Sequence, residues 1–316
     1  MRNFVIAVTS AAGLLSTAAL AQEPSQGAAP IPNVTGTWVY PFCCGFLSPP
    51  SGPGPVVNKS RMRQGTSADG RRFPPGANVP LVSSAQQFVG DYTNPILKPQ
   101  AAEAVKKDGD SELTGIPTAT PRNQCWPEQV PFVLGNYGMQ IIQQPDKVTV
   151  LYPFDHQFRQ VRLNEPHPQH LNPSWYGDSV GRYEGDTLVV DTVAVKVGRF
   201  SMVDWFGTPF TEALHLVERY RLIDYEATKE AIARDAKEHR QYPNPDNGSP
   251  FDPSYKGKGL QIHVTVEDTG AFTMPWSATV TMRRAFDERL ELVCAENMKW
   301  YPDTNAEVPM AATPDF

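Results

Sequence analysis

From Gly138 onward, apolar and polar positions alternate with a period of two, the spacing that sends successive side chains to opposite faces of a strand. Segments 139–144, 147–154, 158–164, 179–184, 187–195, 213–224, 260–268, 277–284 and 290–294 all carry it. Turn signals such as Gln144-Pro145-Asp146-Lys147 and Glu184-Gly185-Asp186 separate them. Consecutive short strands with tight turns make an antiparallel meander. Left open, a sheet of eight or nine strands exposes two unpaired edges. The pattern therefore predicts an all-β, antiparallel, lipocalin-like barrel over residues 136–302.

Two stretches break the alternation. Val34, Trp38, Val39 and Tyr40 mark a first strand at 34–40, after which residues 41–135 carry fourteen prolines, a density that bars long helices and central strands. Apart from a short helix expected at 99–107, residues 34–135 read as a Pro-rich wrap over the barrel. The second break is 225–258. A helix over 226–240, polar nearly all round with only alanines and Ile232 to bury, precedes a Pro/Asn/Asp/Gly loop, and the unit reads as an inserted surface helix. Residues 303–316 form a C-terminal tail.

The N-terminus supplies a compartment. Arg2, the apolar run 4–20 and Ala19-Leu20-Ala21 make the three parts of a secretory signal peptide at 1–21, ahead of a flexible leader at 22–33. The run is short and rich in Ala, Ser and Thr, unlike a membrane span. A periplasmic or secreted protein follows. A formal charge of −6 with no basic cluster argues against nucleic-acid partners and anionic membrane surfaces. In an oxidising compartment four cysteines suggest disulfides. Cys43 and Cys44 are neighbours, whose mutual bond strains the intervening peptide, so Cys125 with Cys294 is the preferred pair. Zinc is the rival use, without Cys-x-x-Cys or Cys/His spacing to support it.

Among chemistry-bearing residues, Gly177-Asp178-Ser179-Val180-Gly181 matches a nucleophile elbow literally, but a turn and strand follow it where the elbow needs a helix. His167-Pro168-Gln169-His170 offers half a metal site, in a Pro-rich loop with no acidic partner at ligand spacing. In 213–224, His215, Val217 and Arg219 share one face, while Glu212, Leu214, Leu216, Glu218 and Tyr220 share the other. Tyr152, His156 and Phe158 alternate with Asp155 and Arg159, Asp191 interrupts an aliphatic strand, and His263 and Glu267 share a further face. Ionisable groups set among aromatics suit the lining of a ligand-sized barrel. Solvent-facing charges or structural pairs, such as Arg219 with Asp191 or Glu218, compete with that reading.

The run from Pro173-Ser174-Trp175-Tyr176-Gly177 through Ser179-Val180-Gly181-Arg182-Tyr183-Glu184-Gly185-Asp186-Thr187-Leu188-Val189-Val190-Asp191-Thr192 resembles a large, mostly uncharacterised family of exported bacterial proteins. Residues 212–220, His156 with Arg159, and Val293-Cys294-Ala295-Glu296-Asn297 are similar to its other recurring blocks. The resemblance covers residues 120–300 and brings no activity with it. This chain departs from the family pattern at Asp178, where His is usual, at Tyr183, where Trp is usual, and in the 225–258 insertion.

With no nucleotide motif and no metal spacing, the chemistry expected is cofactor-free acid–base work of the lyase, hydratase or isomerase type, on a small hydrophobic or aromatic molecule held inside the barrel. His156 or His215 moves the proton, Arg159 or Arg219 holds a developing oxyanion, and Asp191 or Glu212 orients the histidine. The alternative is a non-catalytic periplasmic carrier for a similar ligand.

Overall fold

The protein is described by a computed structural model over residues 31–42, 45–59, 88–113, 118–136, 138–154, 157–238, 254–285 and 293–294. Nine strands close a barrel in chain order: β1 Gly36–Val39, β2 Gly138–Gln143, β3 Lys147–Leu151, β4 Phe158–Leu163, β5 Asp178–Glu184, β6 Thr187–Val193, β7 His215–Ile223, β8 Gly259–Glu267 and β9 Trp276–Arg284. β1 belongs to the wall, not to the wrap. It seats Trp38 opposite Met139 on β2 and opposite Arg284 on β9, closing the ring. The strand expected at 290–294 lies outside the described residues except for its last two positions, which are not strand.

Eight of the nine neighbouring pairs are antiparallel, but β4 and β5 run parallel, Val161 opposite Ser179 and Leu163 opposite Gly181. An odd ring requires this. Passing once around it must return to the starting direction, so the number of reversals is even and at least one neighbour pair cannot reverse. A parallel pair needs a crossover of about a dozen residues or more. Residues 164–177 provide it.

Inward positions alternate as the pattern predicts: Val148 and Val150, Leu188 and Val190, and Leu260 to Val266 at every second residue are buried, with Trp276, Tyr152 and Tyr220 as the largest fillers. The wrap covers β9 where β1 stops short. Leu47 and Thr279 exchange two backbone hydrogen bonds, of 3.0 and 2.9 Å, and Ser277 N–H donates to the Pro53 carbonyl at 3.1 Å. A helix in the wrap, α1 (Pro99–Leu113), runs longer than expected and buries Ala101 and Val105. The Cys125–Cys294 disulfide is present and ties the wrap to the chain beyond β9. Beside it, Arg122 Nε donates to the buried Glu128 carboxylate at 2.5 Å. Cys43 and Cys44 lie outside the described residues. The inserted helix, α2 (Tyr225–Glu238), lies on the outside as expected but turns one face inward through Thr228, Ile232 and Asp235, the last accepting a hydrogen bond from the buried Tyr40 hydroxyl at 3.0 Å. Among the described residues, no helix is long and apolar enough to cross a membrane.

Two buried carboxyls give the fold a pH dependence. Asp108 on α1 and Asp204 in the β6–β7 connection each bury one carboxyl oxygen with no hydrogen-bond partner. Burial pushes Asp108 up from 3.8 to about 7, against a hydrogen bond from Thr118 and with help from Glu112 and Asp204. Burial likewise pushes Asp204 up to about 6 against its hydrogen-bond donors. The folded form thus holds protons that the unfolded chain has released, so stability falls as pH rises from about 4 to about 7. Asp108→Asn is therefore expected to gain on the order of 2–4 kcal/mol over the parent at pH 8 and almost nothing at pH 4. Urea midpoints at the two pH values check this, and a gap independent of pH would remove the explanation.

Candidate functional site

The crossover that the odd strand number demands also builds a cluster of ionisable groups on the outer wall. It leaves β4 through Asn164, in a left-handed conformation (φ 59°), whose N–H donates to the Gly181 carbonyl at 2.8 Å. It enters β5 through Gly177 (φ 68°), where a Cβ would meet the Val193 carbonyl at 2.5 Å. Ser174 and Lys196 pair backbone to backbone, and Trp175 packs edge-on against Trp126 with centroids 5.3 Å apart. Pinned at both ends, the loop lays His167 across β5 and β6.

His167 Nδ1 lies 2.6 Å from Asp178 Oδ1 and its Nε2 lies 3.0 Å from Asp191 Oδ1. A carboxylate only accepts, so a ring bonded to two of them donates from both nitrogens and is an imidazolium. Burial works against that charge, but the Asp178 and Asp191 hydrogen bonds outweigh it and raise the His167 pKa. Its stabilising effect is present below the ordinary histidine value and is lost as pH rises through the raised one. Asp178 is held below its usual value, first by the Arg162 guanidinium, which grips it at 2.8 and 3.1 Å, and then by His167, against burial. On the other side of Asp191 stands His215, its Nε2 at 3.1 Å from Oδ2 and 3.2 Å from Oδ1. His215 Nδ1 is 3.7 Å from Glu267 Oε2, an ion-pair separation too long for a hydrogen bond. Asp191 is thus clamped by a charged His167 while it accepts from His215 Nε2, and His215 Nδ1 makes no hydrogen bond among the described residues.

The expected site residues fall on two sides of the wall. Arg159 is inside and 2 % exposed. Its guanidinium donates to Glu218 at 3.0 and 2.5 Å, to Ser179 at 2.9 Å and to Thr192 at 2.5 Å. Those bonds engage four of its five N–H groups, so little remains to hold an oxyanion. His215 and Asp191 are outside, half-buried, and in contact with each other. Arg219 is outside as well, on the face read for it, but it pairs with Glu184 rather than with Asp191 or Glu218. Glu212 is exposed in the turn before β7 and makes no hydrogen bond or ion pair with His215. His156 lies outside the described residues. Tyr152 and Arg159 both point inward because the turn at 152–157, closed by Tyr152 N–H donating to Gln157 O at 2.8 Å, resets the alternation. Ser179 of the elbow-like motif is a buried strand residue.

Asp178 and Arg162 were not read as acid–base site residues, and His167 was read only as half of a metal site. The acidic partners sought near His167 in sequence come from residues 178 and 191, brought to it by the parallel pair. No group of three or more His, Cys, Asp or Glu residues among those described is arranged to hold a metal ion.

Fold and cluster together define a closed nine-stranded β-barrel protein with a histidine–carboxylate dyad on its outer wall. No family model, curated protein or solved structure matches the chain.

Proposed function

We propose that this is an exported, cofactor-independent enzyme of the lyase, hydratase or isomerase type, in which His215, oriented by Asp191, moves a proton on a small hydrophobic or aromatic substrate approaching from solvent. The observation that carries the reading is the asymmetry of the His215 ring, one nitrogen held by Asp191 at 3.1 Å and the other beyond hydrogen-bonding reach of its nearest carboxylate at 3.7 Å. With Nε2–H given to Asp191, Nδ1 retains its lone pair and can take a proton, while the adjacent carboxylate stabilises the imidazolium that results. The filled barrel interior, with Arg159 and Glu218 neutralising each other, favours the outer wall over the lumen as the place of reaction. Export is supported by the N-terminal sequence pattern together with the disulfide.

The test is incubation with a panel of small aromatic and unsaturated acids, alcohols and epoxides, with products read by mass spectrometry. Turnover is expected to fall by about 10²–10⁴-fold in His215→Ala with the melting temperature nearly unchanged. His167→Gln is expected to lower activity less and to shift the pH profile, because it removes a positive charge from Asp191. Turnover untouched by His215→Ala would remove the dyad. Ligand retained but always recovered unchanged would favour the carrier reading.

A further inference from the structure

The helix of the wrap, α1, meets the β6–β7 connection at a buried polar contact. Residues 202–209 of that connection fold back tightly: Met202 pairs with Pro209, and Val203 N–H donates to the Thr208 carbonyl at 2.9 Å. Inside the turn, Asp204 Oδ1 accepts from the N–H groups of Phe206, at 2.9 Å, and Thr208, at 3.3 Å. Gly207 has a left-handed backbone (φ 70°), and a Cβ there would stand 2.7 Å from Asp108 Cγ, so α1 lays its carboxyl directly on the turn. Val105 of α1 and Phe206 of the turn both press on Gly90, which seats the two elements together.

Three oxygens at this contact are left over. Asp108 Oδ2, Asp204 Oδ2 and Thr208 Oγ1 are buried and make no hydrogen bond among the described residues. Asp204 and Thr208 are 2 % and 1 % exposed, beyond the reach of bulk water. The groups are close: the Thr208 side chain lies beside the Asp204 carboxyl, and the charges of Asp108 and Asp204 act on each other. Two carboxylates this near, away from water, repel. A proton shared between them engages two of the three oxygens. A cation engages all three.

We infer that this contact is a binding site for calcium, held by Asp108, Asp204 and Thr208. Two carboxylates balance the charge of a divalent cation, and a hard cation takes oxygen ligands. The third donor is a hydroxyl, so the set differs from a cluster of three histidines or acidic groups. Calcium accepts roughly six to eight oxygens, so backbone carbonyls and a few waters complete the shell; magnesium, which keeps its own waters, suits so buried a site less well. With only two charged ligands the affinity falls at about 10⁻⁴–10⁻³ M, the range of extracellular calcium modules. The ion pins α1 to the connection that leads into β7. No residue is shared with the His215–Asp191 dyad, so the inference stands apart from the acid–base reading.

Calorimetric titration of the chelator-stripped mature protein with CaCl₂ at fixed ionic strength tests it, together with thermal unfolding in the presence and absence of millimolar CaCl₂. Calcium is expected to raise the unfolding midpoint and to bind at least tenfold more tightly than magnesium. Asp108→Asn keeps the shape of the side chain and removes one charged ligand. It is expected to stay as well folded as the parent without calcium, yet to lose the midpoint rise and at least tenfold in calcium affinity. Thr208→Val, equal in shape but without the hydroxyl, is expected to keep the fold and weaken calcium severalfold. A midpoint indifferent to millimolar calcium would leave the carboxyls sharing a proton or holding a water, and the assignment would fall. Calcium binding that survives Asp108→Asn undiminished would place the ion elsewhere on the protein and overturn it equally.

Discussion

Replacing Glu218 with leucine is expected to destabilise the barrel by about 3–5 kcal/mol, because it strands the Arg159 guanidinium in a filled interior. Both side chains of the pair are almost wholly buried, at 1 % and 0 % exposure. A buried lysine could shed its proton, but an arginine cannot, so the charge would remain. In the intact protein Glu218 outweighs burial and raises the arginine's pKa further. Glu218 is itself held by the Tyr220 hydroxyl, which donates at 2.9 Å. Replacing both partners, Arg159→Met with Glu218→Leu, is expected to recover most of the loss, since neither charge then needs a partner. Urea denaturation of the single and double variants measures this. A single variant within about 1 kcal/mol of the parent would show that water reaches the pair.

Removal of the disulfide is the second large effect. Cys125 and Cys294 are 169 residues apart, and cross-linking so long a segment restricts the unfolded chain severely. The paired variant Cys125→Ser/Cys294→Ser is expected to lose about 2–5 kcal/mol. The loss should fall first on the wrap, which is otherwise held near this point by the Arg122–Glu128 pair and the packing of Trp126 against Trp175 and Phe200. Limited proteolysis should then cut near 118–131 earlier than in the parent. An unchanged midpoint, or free thiols at both positions in the non-reduced protein, would contradict this.

Much of the barrel is written in the alternation of its strands, because a wall with one face in the core and one in water forces a period of two. Strands such as β7 and β8 differ from their expected bounds by no more than two residues at either end. The ring-closing partner was not legible. Residues 34–40 and 290–294 both look like strands, and which of them meets β9 depends on three-dimensional closure rather than on local composition. The site divided in the same way. The two faces of 213–224 were separable, since parity assigns His215 and Glu218 to opposite sides. What parity cannot supply is the partner across the wall. Glu218 finds Arg159 two strands beyond β6, and His167 finds Asp191 only because β4 and β5 run parallel. A proline-rich loop holding His167 and His170 carries no local sign of that.

The seam between β1 and β9 also sets an order of assembly. Arg284 donates to the Thr35 carbonyl across 249 residues of chain, and Trp38 meets Arg284 in register. A polypeptide emerging N-terminus first therefore has β1 in hand long before the strand that receives it exists. Until residue 284 is released, that segment is an unpaired edge able to join a neighbouring molecule. Closure of the ring therefore waits for β9, the last strand of the barrel to be made, and until then the nascent chain must be kept apart from its siblings.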